Sequence, residues 1–163
     1  MVTFEEIKAV RLSINDPIGF IDILSVANMA ALPAAPAPQT VYYLEDSYKY
    51  VSTEKESGAT SADYSVVELQ LSDTMITALI TNIGVDKAPC RSFELISRKL
   101  GGQLRIVKTT NGAESDEFTR LAELYNYYKS LSDDCKKQYK EDNNLNSGIF
   151  GTSLQPTIGG GNL

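Results

Sequence analysis

Histidine and tryptophan are both missing from the 163 residues, and only two cysteines occur. Without histidine there is no Ser-His-Asp triad, no imidazole base titrating near neutral pH, and none of the commonest zinc ligand. Cys90 and Cys135 are not spaced as a metal motif. They read as small buried hydrophobes, with a disulfide between two helices as the alternative. Positive charge is also scarce: 15 Lys and Arg stand against 21 Asp and Glu, for a net charge of -6. That balance argues against wrapping nucleic acid with the whole surface. Long apolar runs are absent too. The most apolar stretch, Ile18 to Leu32, is interrupted by Asp22 and Asn28 and is too short to span a bilayer. The segment Met1 to Lys8 is amphipathic and acidic, without the basic start and apolar core of a signal peptide. The expectation is a protein made and assembled in the cytoplasm, away from membranes. Gly159-Gly160-Gly161 lacks the Lys-Ser/Thr of a phosphate loop, and the carboxylates form no paired motif. No catalytic residue, cofactor or metal is therefore expected, and function must be read from shape and surface.

What is present is a series of local structure signals. Thr3 with Glu6 fits a capping box for a first helix to Ile14, with Ile7, Val10 and Ile14 on one face. Asp16-Pro17 stops it. Ile18 to Val26 fits a short helix or a strand. Leu32 to Gln39 is a proline-rich extended connector. Thr40 to Leu44 and Tyr48 to Ser52 flank Glu45-Asp46-Ser47 as a hairpin, and Ser65 to Leu71 alternates as a third strand. Ser72 caps a helix that Gly84 ends. Asp86 is the expected cap of the next helix, with Pro89 in its first turn. Its buried side is Phe93, Ile96, Leu100, Leu104 and Val107, and it carries Gly101-Gly102 inside it. A close helix neighbour or a hinge explains that pair. Ser115 to Asp142 reads as a last helix of about 40 Å, with the seam Phe118, Leu121, Tyr125, Tyr128, Ser132, Cys135 and Tyr139. A helix that long is expected to touch a neighbouring subunit as well as its own core.

The fold class expected is mainly α. It is a small helical bundle with a long C-terminal helix, an inserted β-hairpin or small antiparallel sheet, and an extended C-terminal arm. Residues 1–142 form the domain, with 40–71 as the hairpin insertion, and 143–163 form the arm. The arm carries no charged side chain and spans at most about 70 Å when extended. Plain terminal disorder accounts for it, or else its apolar residues order in a partner's groove or sheet edge. The second reading is favoured by the spacing of Ile149, Phe150, Leu154 and Ile158, with Pro156 and Leu163 beside them.

Two surface features stand out. Lys87, Arg91, Arg98, Lys99, Arg105 and Lys108 share one predicted helix with Glu94 as the only acid among them. A solvated face, an acidic neighbour across a subunit interface and DNA phosphates in a channel all fit. Tyr42, Tyr43, Tyr48 and Tyr50 cluster in the hairpin, where an inter-subunit contact suits a residue with one apolar and one wet end.

Val2-Thr-Phe-Glu-Glu-Ile-Lys-Ala-Val-Arg-Leu-Ser-Ile-Asn-Asp16 is similar to the opening of head–tail connector proteins of tailed bacteriophages. There a short helix leads into an Arg-x-x-Ile-x-Asp-like stop, matched here by Arg11, Ile14 and Asp16. Leu71 to Gly84, Ala88 to Val107 and Ser115 to Tyr139 resemble the three later helices of that family. The resemblance covers roughly two thirds of the chain, and residues 40–71 depart from it as an inserted hairpin bridging adjacent subunits or the next ring. It implies a structural virion protein, a homo-oligomeric and typically dodecameric ring beneath the portal protein. Such a ring extends the channel that DNA passes through without sequence-specific binding, and offers a platform for neck or tail proteins. The arm Ile149 to Leu163 would reach the portal. Another neck or tail-completion ring is the alternative, followed by a helical nucleic-acid-binding regulator using Lys87 to Lys108.

Overall fold

The computed structural model describes residues 1–112 and 115–149, with side chains through Lys140. The first helix, α1 (Phe4–Ser13), begins at the expected capping box. The Glu6 carboxylate accepts from the Thr3 N–H at 2.7 Å, and the Glu6 N–H donates to the Thr3 hydroxyl at 3.3 Å. Three strands follow, β1 (Asp22–Val26), β2 (Thr40–Leu44) and β3 (Lys49–Ser52), and then the two-residue β4 (Ser65–Val66). Helices α2 (Asp73–Ile83), α3 (Ala88–Thr110) and α4 (Asp116–Ile149) complete the chain.

The mainly α expectation is corrected by this sheet. The protein is a mixed α/β fold whose four strands lie in the order β1-β2-β3-β4, with β1 parallel to β2 and the other pairs antiparallel. The stretch that fitted helix or strand equally is β1, and the connector 27–39 carries the chain back to lay β2 alongside it. The expected third strand shrinks to Ser65–Val66. Val67 and Leu69 still bury, but against side chains on the α1 side of the sheet, while Leu71 joins the helical core. The Val67 N–H still donates to the Tyr50 carbonyl of β3 at 2.9 Å, and the alternating burial runs on past that last bond.

Strand periodicity sends alternate side chains to opposite faces. Tyr42, Leu44 and Val51 face Ala59 and Tyr64, under the connector's Met29 and Leu32. Ile23, Val41 and Tyr50 face Phe4 and Leu12 of α1. Both faces of the sheet that 40–71 helps to build are covered. That segment is part of the folded body.

The larger core lies among the helices. Val10, Ile14, Leu71, Ile76, Ile80, Ala88, Phe93, Ile96, Leu100 and Tyr128 form one buried cluster. Each large aliphatic side chain there contributes roughly 1.5–3 kcal/mol by leaving water. Ser72 caps α2 through its hydroxyl, and Gly84 ends it at φ 85°, where a side chain would be strained. Lys87, not Asp86, occupies the cap position of α3 and makes no side-chain cap bond there. Cys90 and Cys135 form a disulfide joining α3 to α4. That finding replaces the expectation of two free, buried thiols. Gly101 sits where a Cβ would come within 3.3 Å of the Tyr125 ring, so close helix approach explains it; beside Gly102 the space is open.

Candidate functional site

Two surfaces and one buried junction organise the molecule. The junction sets the geometry of the rest. Arg11, in the last turn of α1, is fully buried. Its Nη1 donates to Asp16 at 2.9 Å, its Nη2 to Asp73 at 2.7 Å and to the Leu71 carbonyl at 2.9 Å. The Tyr50 hydroxyl of β3 donates to Asp73 at 2.9 Å, and Arg11 lies over the Tyr50 ring at 4.8 Å. Asp16 also accepts the backbone N–H groups of Gln70 and Leu71, at 2.8 and 3.1 Å. A buried charge is tolerated only when paired and hydrogen-bonded, and here no buried side-chain polar atom among the described residues lacks a partner. Burial by itself would depress the Arg11 pKa, but Asp73, Tyr50 and Asp16 outweigh it and hold it above its ordinary value. Burial pushes the Tyr50 hydroxyl up, so it stays protonated and donating. The cluster ties α1, the sheet, the 70–71 linker and α2 together. Within Arg11-Leu-Ser-Ile-Asn-Asp16 this ion pair links the first and last residues.

The α3–α4 pair carries a groove on either side. One, of about 1070 Å3, runs between the pair and the extended 67–70 segment, and Ile18, Leu69, Ile106, Leu124 and Tyr127 help line it. The other, of about 400 Å3, has Gly101 and Gly102 along α3, with Arg98, Arg105, Lys129 and Lys136 at its sides.

The six bases named from the sequence divide between these sides. Lys87, Arg91, Arg98 and Arg105 follow four- and seven-residue steps, which 3.6 residues per turn keeps in one stripe. Lys108 follows one turn after Arg105. Lys99 is on the other side, where its ammonium donates to the Gln70 carbonyl at 2.9 Å. Arg91 and Arg98 both grip Glu94. Burial raises the Glu94 pKa, but the two arginines, with Lys136 adding to them, outweigh it and hold the carboxyl below its ordinary range. Sequence reasoning missed Lys129 and Lys136 of α4. Their signal was the same seven-residue step seen between Arg98 and Arg105.

Of the four hairpin tyrosines, Tyr42 and Tyr50 are buried in the protein's own core and Tyr43 is half-buried, stacked on Phe4. Tyr48, at the turn and 76% exposed, is the one left for a partner. Of the arm residues, Ile149 closes α4, while Phe150, Leu154, Pro156, Ile158 and Leu163 lie outside the described residues. No family model, curated protein or solved structure matches this chain.

Proposed function

We propose that this protein is a structural adaptor of a tailed bacteriophage, acting through shared surfaces rather than chemistry. In this reading its copies form a ring beneath the portal protein. The ring joins the head to neck or tail proteins and extends the channel through which DNA passes. The observation that carries the reading is the shape of α4. It has 34 residues, about 51 Å at 1.5 Å per residue, against 23 residues for α3. From Cys135, tied to Cys90 near the start of α3, it runs on to Ile149, which is roughly 20 Å of helix with no α3 beside it. Such an overhang extends past the end of α3 and suits contact with another copy or another protein. The resemblance of the opening segment and of the later helices to phage connectors supports the same assignment. The disulfide is compatible with it, because such bonds persist in oxidising surroundings, virion surfaces included.

Imaging of the neck in mature particles tests the proposal. A continuous annulus built of this chain between head and tail is the expected result. Deleting 150–163 should leave the purified protein folded and yield unjoined heads and tails. Solitary copies, or particles that contain none of this chain, would overturn it.

A further inference from the structure

Charge is segregated within the fold. Residues 20–70, which make the sheet and its loops, hold seven acids and two lysines. Lys87 and α3 hold six bases and one acid. These opposite charges do not neutralise one another within a copy. Among the described residues, Arg91 and Arg98 pair only with Glu94 on their own helix, and Lys87, Arg105 and Lys136 have no acid within ion-pair distance. On the sheet side Asp22 pairs with Lys8 and Asp63 with Lys55, while Asp46, Glu54 and Glu56 are exposed with no cation in range.

We infer that the basic stripe of α3, widened by Lys129 and Lys136 across the Gly101–Gly102 groove, docks the acidic loops of a second copy at Glu45, Asp46, Glu54 and Glu56. The two patches are different surfaces, so the contact is head-to-tail. Repeated, such a contact closes into a ring or runs on as a filament. This names the joint of the ring proposed above and rests on that reading. A nucleic-acid backbone is the competing occupant. It is disfavoured by the net charge of -6 and by Glu94 and Asp133, which sit within the same groove. Those two acids, although paired with Arg91, Arg98 and Lys129, lower the groove's attraction for a row of phosphates, whereas the facing loops also carry the exposed Lys49. Exposed charge pairs give orientation and on-rate more than affinity, so the contact should be weak in isolation and strongly salt-dependent.

Sedimentation velocity of the full chain over a wide concentration range, at low and high salt, tests this. The expected result is self-association that weakens about tenfold or more as salt shortens the Debye length. Arg98→Glu/Arg105→Glu should abolish it, and so should Glu54→Lys/Glu56→Lys. Mixing the two variants should restore it, because each reversed patch then meets its complement at both ends. Circular dichroism checks that each variant is folded, and Arg98→Gln/Arg105→Gln substitutes if reversal unfolds the chain. Self-association indifferent to salt and to these variants overturns this contact and leaves the ring reading standing. No association of the unaltered chain at any concentration overturns both. DNA binding at low salt that disappears in Arg98→Glu/Arg105→Glu, with self-association unchanged, gives the stripe to phosphate instead.

Discussion

The helical half and the sheet half of this protein are stabilised in different ways. Helices α2, α3 and α4 share one continuous core, joined by Val10 and Ile14 from α1 and its C-terminal end, and Cys90–Cys135 cross-links α3 to α4. The sheet has strands of five, five, four and two residues and two smaller clusters, one on each face. Its long loops are tied down by side-chain bonds such as the Tyr64 hydroxyl to the Pro33 carbonyl at 2.7 Å. The Arg11 cluster joins the two halves. A body with a self-sufficient helical part and a sheet part dependent on polar ties should fail in an ordered way, the junction before the periphery.

The largest effect is expected at that junction. Arg11→Met would leave Asp16 buried with two backbone N–H donors and no cation. Removing one partner of a buried ion pair costs about 3–5 kcal/mol, and urea denaturation should show a loss of that size. Hydrogen exchange sharpens the comparison: amides of β2 and β3 should lose protection more than those of α3. Equal losses in both halves would mean that the junction is not what separates them. Next in size is the cross-link. The bond closes a loop between residues 45 apart, and the chain-entropy relation gives an upper figure of about 4 kcal/mol. Cys90→Ala/Cys135→Ala should lower stability by roughly 2–4 kcal/mol, and the lost protection should centre on α3 and α4. A variant as stable as the parent would show that the helical core needs no staple.

The contrast between halves also explains what could be read from the chain. Helix signals are local: Thr3 with Glu6, Ser72, Gly84 and the apolar steps of α3 each lie within a few residues of what they determine. The ends of α1 and α2 and the buried side of α3 were legible for that reason. Pairing of β1 with β2 depends instead on a connector folding back, and the burial pattern of Asp22–Val26 puts one side chain deep and two outside. No clean alternation reveals that strand, so the sequence points to the antiparallel β2–β3–β4 part of the sheet but not to its parallel β1 edge. The candidate surface divides the same way. The basic residues were legible together as the charge of one predicted helix, but only three dimensions could turn Lys99 to the opposite groove and bring Lys129 and Lys136 beside Arg98 and Arg105. Two lone thiols likewise carry no sequence mark of being partners.

A smaller effect separates two adjacent glycines. Gly102→Ala places a methyl in open space and should stabilise by about 0.5–1 kcal/mol through helix propensity. Gly101→Ala gains the same propensity but presses on Tyr125 at 3.3 Å, so thermal melts should rank it below Gly102→Ala. The reverse order would remove close packing as the reason for Gly101.

The smallest effect is a pH response confined to the sheet half. Asp63 bonds the Lys55 ammonium at 2.7 Å and accepts from the Thr60 N–H and hydroxyl, both at 2.8 Å. The lysine bond first, then the Thr60 donors, pull the Asp63 carboxyl down to about 2. A carboxylate whose folded pKa lies below its unfolded value, about 3.9, binds more protons when unfolded. Its contribution is therefore complete above the unfolded value and fades as pH falls toward 2. The Asp63 contacts all lie within its own loop, so the response should be local: the loop 53–63 loosens between about pH 4 and 2. An NMR titration should put Asp63 well below the ordinary aspartate value of about 3.9. Lys55→Met should move it back up toward that value, and an Asp63 that titrates there in the unaltered chain would show that the Lys55–Thr60 clasp does not hold in solution.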